Sequence, residues 1–282
     1  SDTMTITSRD QLIDAMGNSS SRFILDKASI ASQAAGNYVS MWRATGQPGQ
    51  GAVPTTAAVC TTALTGAMGF AQQTAPATSY GAYMEVVTSN SAMTVEIHDR
   101  IAHMGGLNGT LTTAQTVGID LSTLLSTSDV GVRIGDANYS DVQWWLEWYT
   151  ATGATAATAT VAVTYDDGTS GNLTGLSLAA TRPAGFMVSL NALIPAASSG
   201  KYIRAVNTVT LSATTGIAGN FGVTATRIRM ASMCPVANLK TISNWADLGF
   251  PEIGNSACLF PVVLTSTTSS GTLRGGGKII HG

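Results

Sequence analysis

Glu147 is the side chain with the clearest chemical setting in the sequence. It stands between Trp145 and Trp148, in Trp144-Trp145-Leu146-Glu147-Trp148-Tyr149. An aromatic wall raises a carboxyl pKa and stacks on sugar rings, so this setting resembles that of a sugar-cleaving acid. A glycosidase also needs a second carboxylate at a set separation, and Asp99, Asp120, Asp136, Asp141, Asp166 and Asp167 supply many combinations with nothing to select one. The competing reading is an interface strand whose Glu147 carboxylate meets an arginine such as Arg204 or Arg227.

His98, Asp99 and His103 form the one cluster of metal-ligating types, but no cysteine or second carboxylate sits nearby, and they read as polar residues at a strand end. No Gly-x-Ser-x-Gly elbow occurs, and His281 falls in what reads as a loose tail. The glycines at 105, 106 and 109 and those at 275–277 lack the Walker spacing. Asn18, Asn108, Asn138 and Asn172 match the glycosylation triplet, as chance allows in a chain this rich in Ser and Thr. Cys60, Cys234 and Cys258 are widely spaced and without a CxxC pair, which fits buried thiols, with a Cys234–Cys258 bridge or a bond between subunits as the alternative. The residues therefore predict no catalytic site, no metal site, no cofactor and no enzyme.

The elements that must position these side chains are mostly strands. Residues 81–88 and 92–98 alternate, with Met93, Val95 and Ile97 opposite Thr94, Glu96 and His98. Val142 to Tyr149 is aromatic on both faces, as in a central strand or one that meets a neighbouring subunit. Ala159 to Tyr165, the turn Asp166-Asp167-Gly168 and the run from Leu173 read as a hairpin. Further extended runs are expected at 185–190, 202–213, 221–230 and 258–266. Strands at this spacing predict a mainly β chain with an antiparallel β-sandwich or jelly-roll-like body.

Two short helices interrupt it. Ser8-Arg9-Asp10-Gln11 is a capping box that opens the first, which Gly17 ends, and Ser243 is expected to cap 244–248. Residues 1–79 otherwise read as an extended N-terminal arm, 80–270 as the body and 271–282 as a flexible tail. Within the arm, Tyr38, Met41, Trp42 and Arg43 are large side chains in a segment without an evident core of its own. With Trp145 and Tyr149 they are the expected subunit-interface residues.

Composition agrees with a covered surface. Of the 282 residues only 11% are charged, against roughly a quarter in ordinary soluble domains. The apolar runs fall short of the ~20 residues of a membrane-spanning helix, so protein is the expected cover and no membrane partner is. A net charge of -2 and a pI near 5.8 leave no broad positive field for nucleic acid. Arginine outnumbers lysine among the 14 basic residues, as suits buried contacts. The first residues lack the basic and apolar regions of a signal peptide, and a leading Ser fits removal of an initiator Met in a bacterial cytoplasm.

The segment Met41-Trp42-Arg43-Ala44-Thr45-Gly46, Pro48-Gly49, Gly51-Ala52-Val53-Pro54 and Ala57-Ala58-Val59-Cys60 resembles the N-terminal region of a family of tailed-bacteriophage virion structural proteins. His103-Met104-Gly105-Gly106-Leu107, Trp145-Leu146-Glu147-Trp148-Tyr149-Thr150 and 209–216 resemble the same family in the same order. The resemblance implies a virion component that decorates or cements a capsid, or one of tail, collar or baseplate. Its expected partners are the major capsid protein or other virion proteins and further copies of itself, a trimer being a common solution. The residues also admit a carbohydrate-binding receptor module that stacks sugars on Trp144, Trp145 and Trp148.

Overall fold

The computed structural model describes residues 5–125, 130–178 and 180–282. They form a mainly β chain with antiparallel sheets and a few short helices, in two compact units. The first unit takes residues 1–51, 61–99 and 228–282, and the second takes 52–60 and 100–227. The boundaries expected at 79 and 270 are therefore not where the chain divides.

In the first unit, one sheet runs in the order Thr241–Ser243, Ser79–Thr88, Leu273–His281, Ser20–Lys27 and Gly46–Gln47. Tyr38–Ser40, Leu259–Leu264 and the first half of Met93–Leu107 pair as a second layer. Phe23, Leu25, Met84, Val86 and Ile279 from one layer share a core with Val39, Val95, Ile97, Leu259 and Val263 from the other. This is sandwich packing, produced by period-two burial such as the alternation in Ser20–Lys27.

Two segments expected to be loose are central here. Ser20–Lys27 pairs with Leu273–His281 along its whole length, and Leu273–His281 pairs on its other side with Ser79–Thr88. The glycines at 275–277 let those strands close up: a Cβ at Gly277 would lie 2.2 Å from the Phe23 ring and 2.3 Å from the Tyr83 carbonyl oxygen. Lys27 is buried, and its Nζ donates to the carbonyls of Ala44, Pro48 and Gly49 at 3.0, 2.6 and 3.3 Å. Burial pushes its pKa down to about 8. The anchors of the expected arm thus pack into this chain. Met41 and Trp42 are buried, Trp42 meets Phe260 edge-on at 5.9 Å, and a Cβ at Gly51 would lie 2.1 Å from the Trp42 ring.

The helix Arg9–Asn18 opens on the expected capping box, Ser8 accepting from the Gln11 amide while the Gln11 side chain accepts from Ser8 N–H. Its inner face puts Ala15 with Ala82 and Ile280.

In the second unit a four-stranded sheet runs Ser170–Ser177, Thr158–Tyr165, Ile203–Leu211 and Gln115–Asp120. The first two form the expected hairpin, with Gly168 at φ 83° in its turn. Gln143–Thr150 lies between the first half of Asn220–Cys234 and Phe186–Ser189. Ala58–Val59 pairs with residues 102 and 103. Trp144, Leu146 and Trp148 join Val161, Val163 and Phe221 in one core.

Candidate functional site

The feature most open to a partner is an apolar stripe on the first unit. Met233, Val236, Leu239, Ile242 and Trp245 recur at every third position and are 48–62% exposed. A period of three matches neither strand nor helix, and the local structure turns Met233 and Ile242 outward. Along the end of Asn220–Cys234, Ser232 turns inward and Met233 outward. The chain reverses through Asn238 at φ 58° and returns as Thr241–Ser243. Ser243 donates its hydroxyl to Ser232 at 2.9 Å, so these serines face each other inside while Met233 and Ile242 face out.

Thr241–Ser243 is the outermost strand of its sheet and pairs with Ser79–Thr88. An edge strand of this kind presents backbone donors and acceptors to an incoming chain. Asn244 then caps the helix Trp245–Leu248, accepting from the amides of Ala246 and Asp247. The cap is Asn244 rather than the expected Ser243, whose hydroxyl is spent on Ser232. Gly249 closes the helix in the left-handed region. Trp245 stacks on Phe250 at 5.4 Å and 11°. Phe250 in turn lines a surface cavity of about 420 Å³ with Ile6, Leu12, Tyr80 and Ile280. Beside Ile242, Lys240 pairs with Glu85 at 3.4 Å. The Tyr83 hydroxyl and this lysine hold the Glu85 carboxyl below its usual range.

Glu147 sits in the second unit and is 1% exposed. Arg100 clasps it with both terminal nitrogens, Nη2 to Oε2 at 2.7 Å and Nη1 to Oε1 at 3.1 Å. Thr224 donates its hydroxyl to Oε2, and the Tyr149 hydroxyl lies 3.3 Å from the same oxygen. Arg100 further donates to His103 Nδ1 at 2.8 Å and to Tyr149 Oη at 2.7 Å. Arg133 donates to the Arg100 carbonyl at 3.0 Å. Burial and then the Glu147 charge push the Tyr149 phenol well above its ordinary pKa. Burial opposes the Arg100 charge, but Glu147, with Tyr149 and Cys60, more than offsets it and keeps the guanidinium protonated.

A carboxylate held on both oxygens and sealed from water has no proton to exchange with a substrate, which overturns the reading of Glu147 as an acid. Its partner is Arg100, and the expected arginines go elsewhere, Arg204 to Asp120 at 3.4 Å and Arg227 to Asp141 at 2.9 Å.

The tryptophans are core. Trp144, Trp145 and Trp148 are at most 3% exposed. Their indole N–H groups donate to the Ile203 carbonyl at 2.8 Å, Thr226 Oγ1 at 2.9 Å and Thr152 Oγ1 at 3.1 Å. Trp148 also stacks on Phe221 at 5.3 Å. None of the three offers a face to a sugar. Of the six residues expected at a subunit interface, Met41, Trp42, Trp145 and Tyr149 are buried within the chain, where a neighbour cannot reach them. Tyr38 and Arg43 are half-exposed, and Arg43 donates to the Gly51 carbonyl.

His98 and Glu96 pair at 2.6 Å, Asp99 accepts from the Cys258 amide at 2.9 Å, and His103 serves Arg100. Among the described residues no three His, Cys, Asp or Glu side chains gather as a metal site. The three cysteines are buried free thiols, so the Cys234–Cys258 bridge does not form. Among the described residues no helix is long and apolar enough to cross a membrane.

Sequence reasoning missed the stripe because it sought periods of two and 3.6. The repeated apolar residue at every third position from 233 to 245 was the signal available.

No protein-family model and no curated protein matches the chain. Among solved structures, it is similar to T=1 particles derived from infectious bursal virus, with 8% identity and a TM-score of 0.16, over 93% of this chain and 76% of that one. A VP2 subviral particle of infectious bursal disease virus aligns at 10% identity and a TM-score of 0.17, over 93% and 79%. At these TM-scores neither likeness carries an argument.

Proposed function

We propose that the chain is a structural subunit of a virus particle, a decoration or cement protein that stabilises a bacteriophage capsid, and that it acts by binding rather than turnover. The observation that carries this reading is the exposed stripe from Met233 to Trp245, laid along an edge strand of a charge-poor molecule. Exposed apolar side chains with open backbone groups beside them are what a protein partner covers. The local resemblances at residues 41–60, 103–107, 145–150 and 209–216 support a phage particle. The sealed state of Glu147 supports a non-catalytic role, and the buried tryptophans weigh against a carbohydrate receptor. The partner on this reading is the major capsid protein, with further copies of the chain, a trimer among the possible assemblies. The virion is its location, after synthesis in the host cytoplasm.

Binding of the purified chain to emptied capsids tests the proposal, together with an image reconstruction of particles carrying it. Burying an aliphatic side chain contributes about 1.5–3 kcal/mol, so Leu239→Asp with Ile242→Asp is expected to weaken binding by about 100-fold or more. Unchanged binding in that variant, or density for the chain on the tail alone, overturns the capsid reading.

A further inference from the structure

Three side chains line up across neighbouring strands at the rim of the first unit's sheet. Ser21 is on Ser20–Lys27, His281 on Leu273–His281 and Ser79 on Ser79–Thr88, consecutive strands in the sheet order. Ser79 and His281 are register partners. Ser21 pairs with Ile279, which shares a face with His281. His281 Nε2 lies 2.8 Å from Ser21 Oγ, and its Nδ1 lies 2.9 Å from Ser79 Oγ.

The Ala71 amide donates to Ser21 Oγ at 2.8 Å. In the tautomer that carries its proton on Nδ1, the ring accepts from the Ser21 hydroxyl at Nε2 and donates to Ser79 from Nδ1. This is the order of roles that activates a serine: nucleophile, base, and a third group that orients the base. His281 is 5% exposed, and burial lowers its pKa from 6.5, so the ring is neutral at pH 7. Arg22, Tyr80 and Lys278 alternate to the other side of the sheet, where Arg22 and Lys278 line a separate depression. The covering segment at 70–73 carries no charged side chain.

We infer that Ser21 is an activated nucleophile, with His281 as its base and Ser79 as a positioning residue, and that it accepts an acyl or phosphonyl group from an activated ester. In the step, a bond forms from Ser21 Oγ to the ester's carbon or phosphorus as the hydroxyl proton passes to Nε2. The bond to the leaving alkoxide, phenolate or fluoride breaks with its electron pair, and the proton on Nε2 neutralises the leaving group. Ser21 is partly exposed, and Ala71 and Gln72 beside it are exposed.

The inference is separate from the particle role and is tested on the full chain with a fluorophosphonate probe and with p-nitrophenyl acetate, the adduct being mapped by mass spectrometry. One adduct per chain, at Ser21, is expected. His281→Gln is expected to slow its formation by about 100-fold or more, the contribution of a general base. Ser79→Ala is expected to slow labelling and to move the midpoint of its pH profile, which in the parent chain lies below 6.5 with the rate rising toward neutral pH. A native chain that is unlabelled at Ser21, or labelled equally at other serines, overturns the inference without recourse to any variant. So does labelling of Ser21 at an unchanged rate in His281→Gln.

Discussion

Arg100 and Glu147 form an ion pair inside a protein that has few charges to spare. Both are at most 1% exposed, and the two nitrogens, two oxygens, Thr224, Tyr149 and His103 use up one another's hydrogen-bonding capacity. Bringing such a pair out of water costs several kcal/mol per ion, so its presence stabilises little by itself, whereas loss of one partner strands the other. Glu147→Gln is therefore expected to lower unfolding free energy by about 3–5 kcal/mol in urea denaturation. The joint variant Arg100→Met with Glu147→Leu should lose less than the two single variants summed, because it leaves no uncompensated charge. An additive result would mean that the two side chains do not act as a pair. Nothing in the local sequence pointed to this partnership: residues 100 and 147 meet only through the pairing of strands far apart in the chain.

At the scale of elements, strands whose own side chains alternate were legible, and strands defined by their neighbours were not. Thr158–Tyr165 shows perfect alternation of burial and was readable from Ala159, Val161, Val163 and Tyr165. Leu273–His281 carries three consecutive glycines, which resemble a flexible tail when taken alone. In the folded chain their missing side chains are what allow Phe23 and the Ser79–Thr88 backbone to approach. The Ser21–His281 contact was hidden for the same reason, since it joins the second strand of that pair to one near the other end of the chain. Placing Leu273–His281 between two strands gives a direct expectation. Truncation after Ser270 removes the pairing of Ser20–Lys27 and of Ser79–Thr88 together, so cooperative unfolding of the first unit should be lost and its amides should exchange rapidly with deuterium. A true tail would leave both unchanged on removal.

On the scale of the whole molecule, the composition understates how little charge faces water. The chain has 14 basic and 16 acidic residues, and of these Lys27, Glu96, Asp99, Arg100, Arg133 and Glu147 are buried. Their removal from the surface leaves Thr, Ser, Ala and Gly as the main cover, with exposed apolar side chains at every third position from Met233 to Trp245. Contacts through such a surface differ from contacts through ion pairs in their response to salt. Screening weakens exposed charge pairs as the Debye length falls from about 10 Å at 0.1 M to about 3 Å at 1 M, while apolar burial is not weakened by it. Kosmotropic salts strengthen apolar burial further. Binding of the chain to emptied capsids, measured by co-sedimentation, is therefore expected to persist, or grow, from about 0.1 M to about 1 M sodium sulfate. Leu239→Asp with Ile242→Asp should abolish it across that whole range. Dissociation as salt rises would assign the contact to the remaining surface charges and remove the stripe from the assembly.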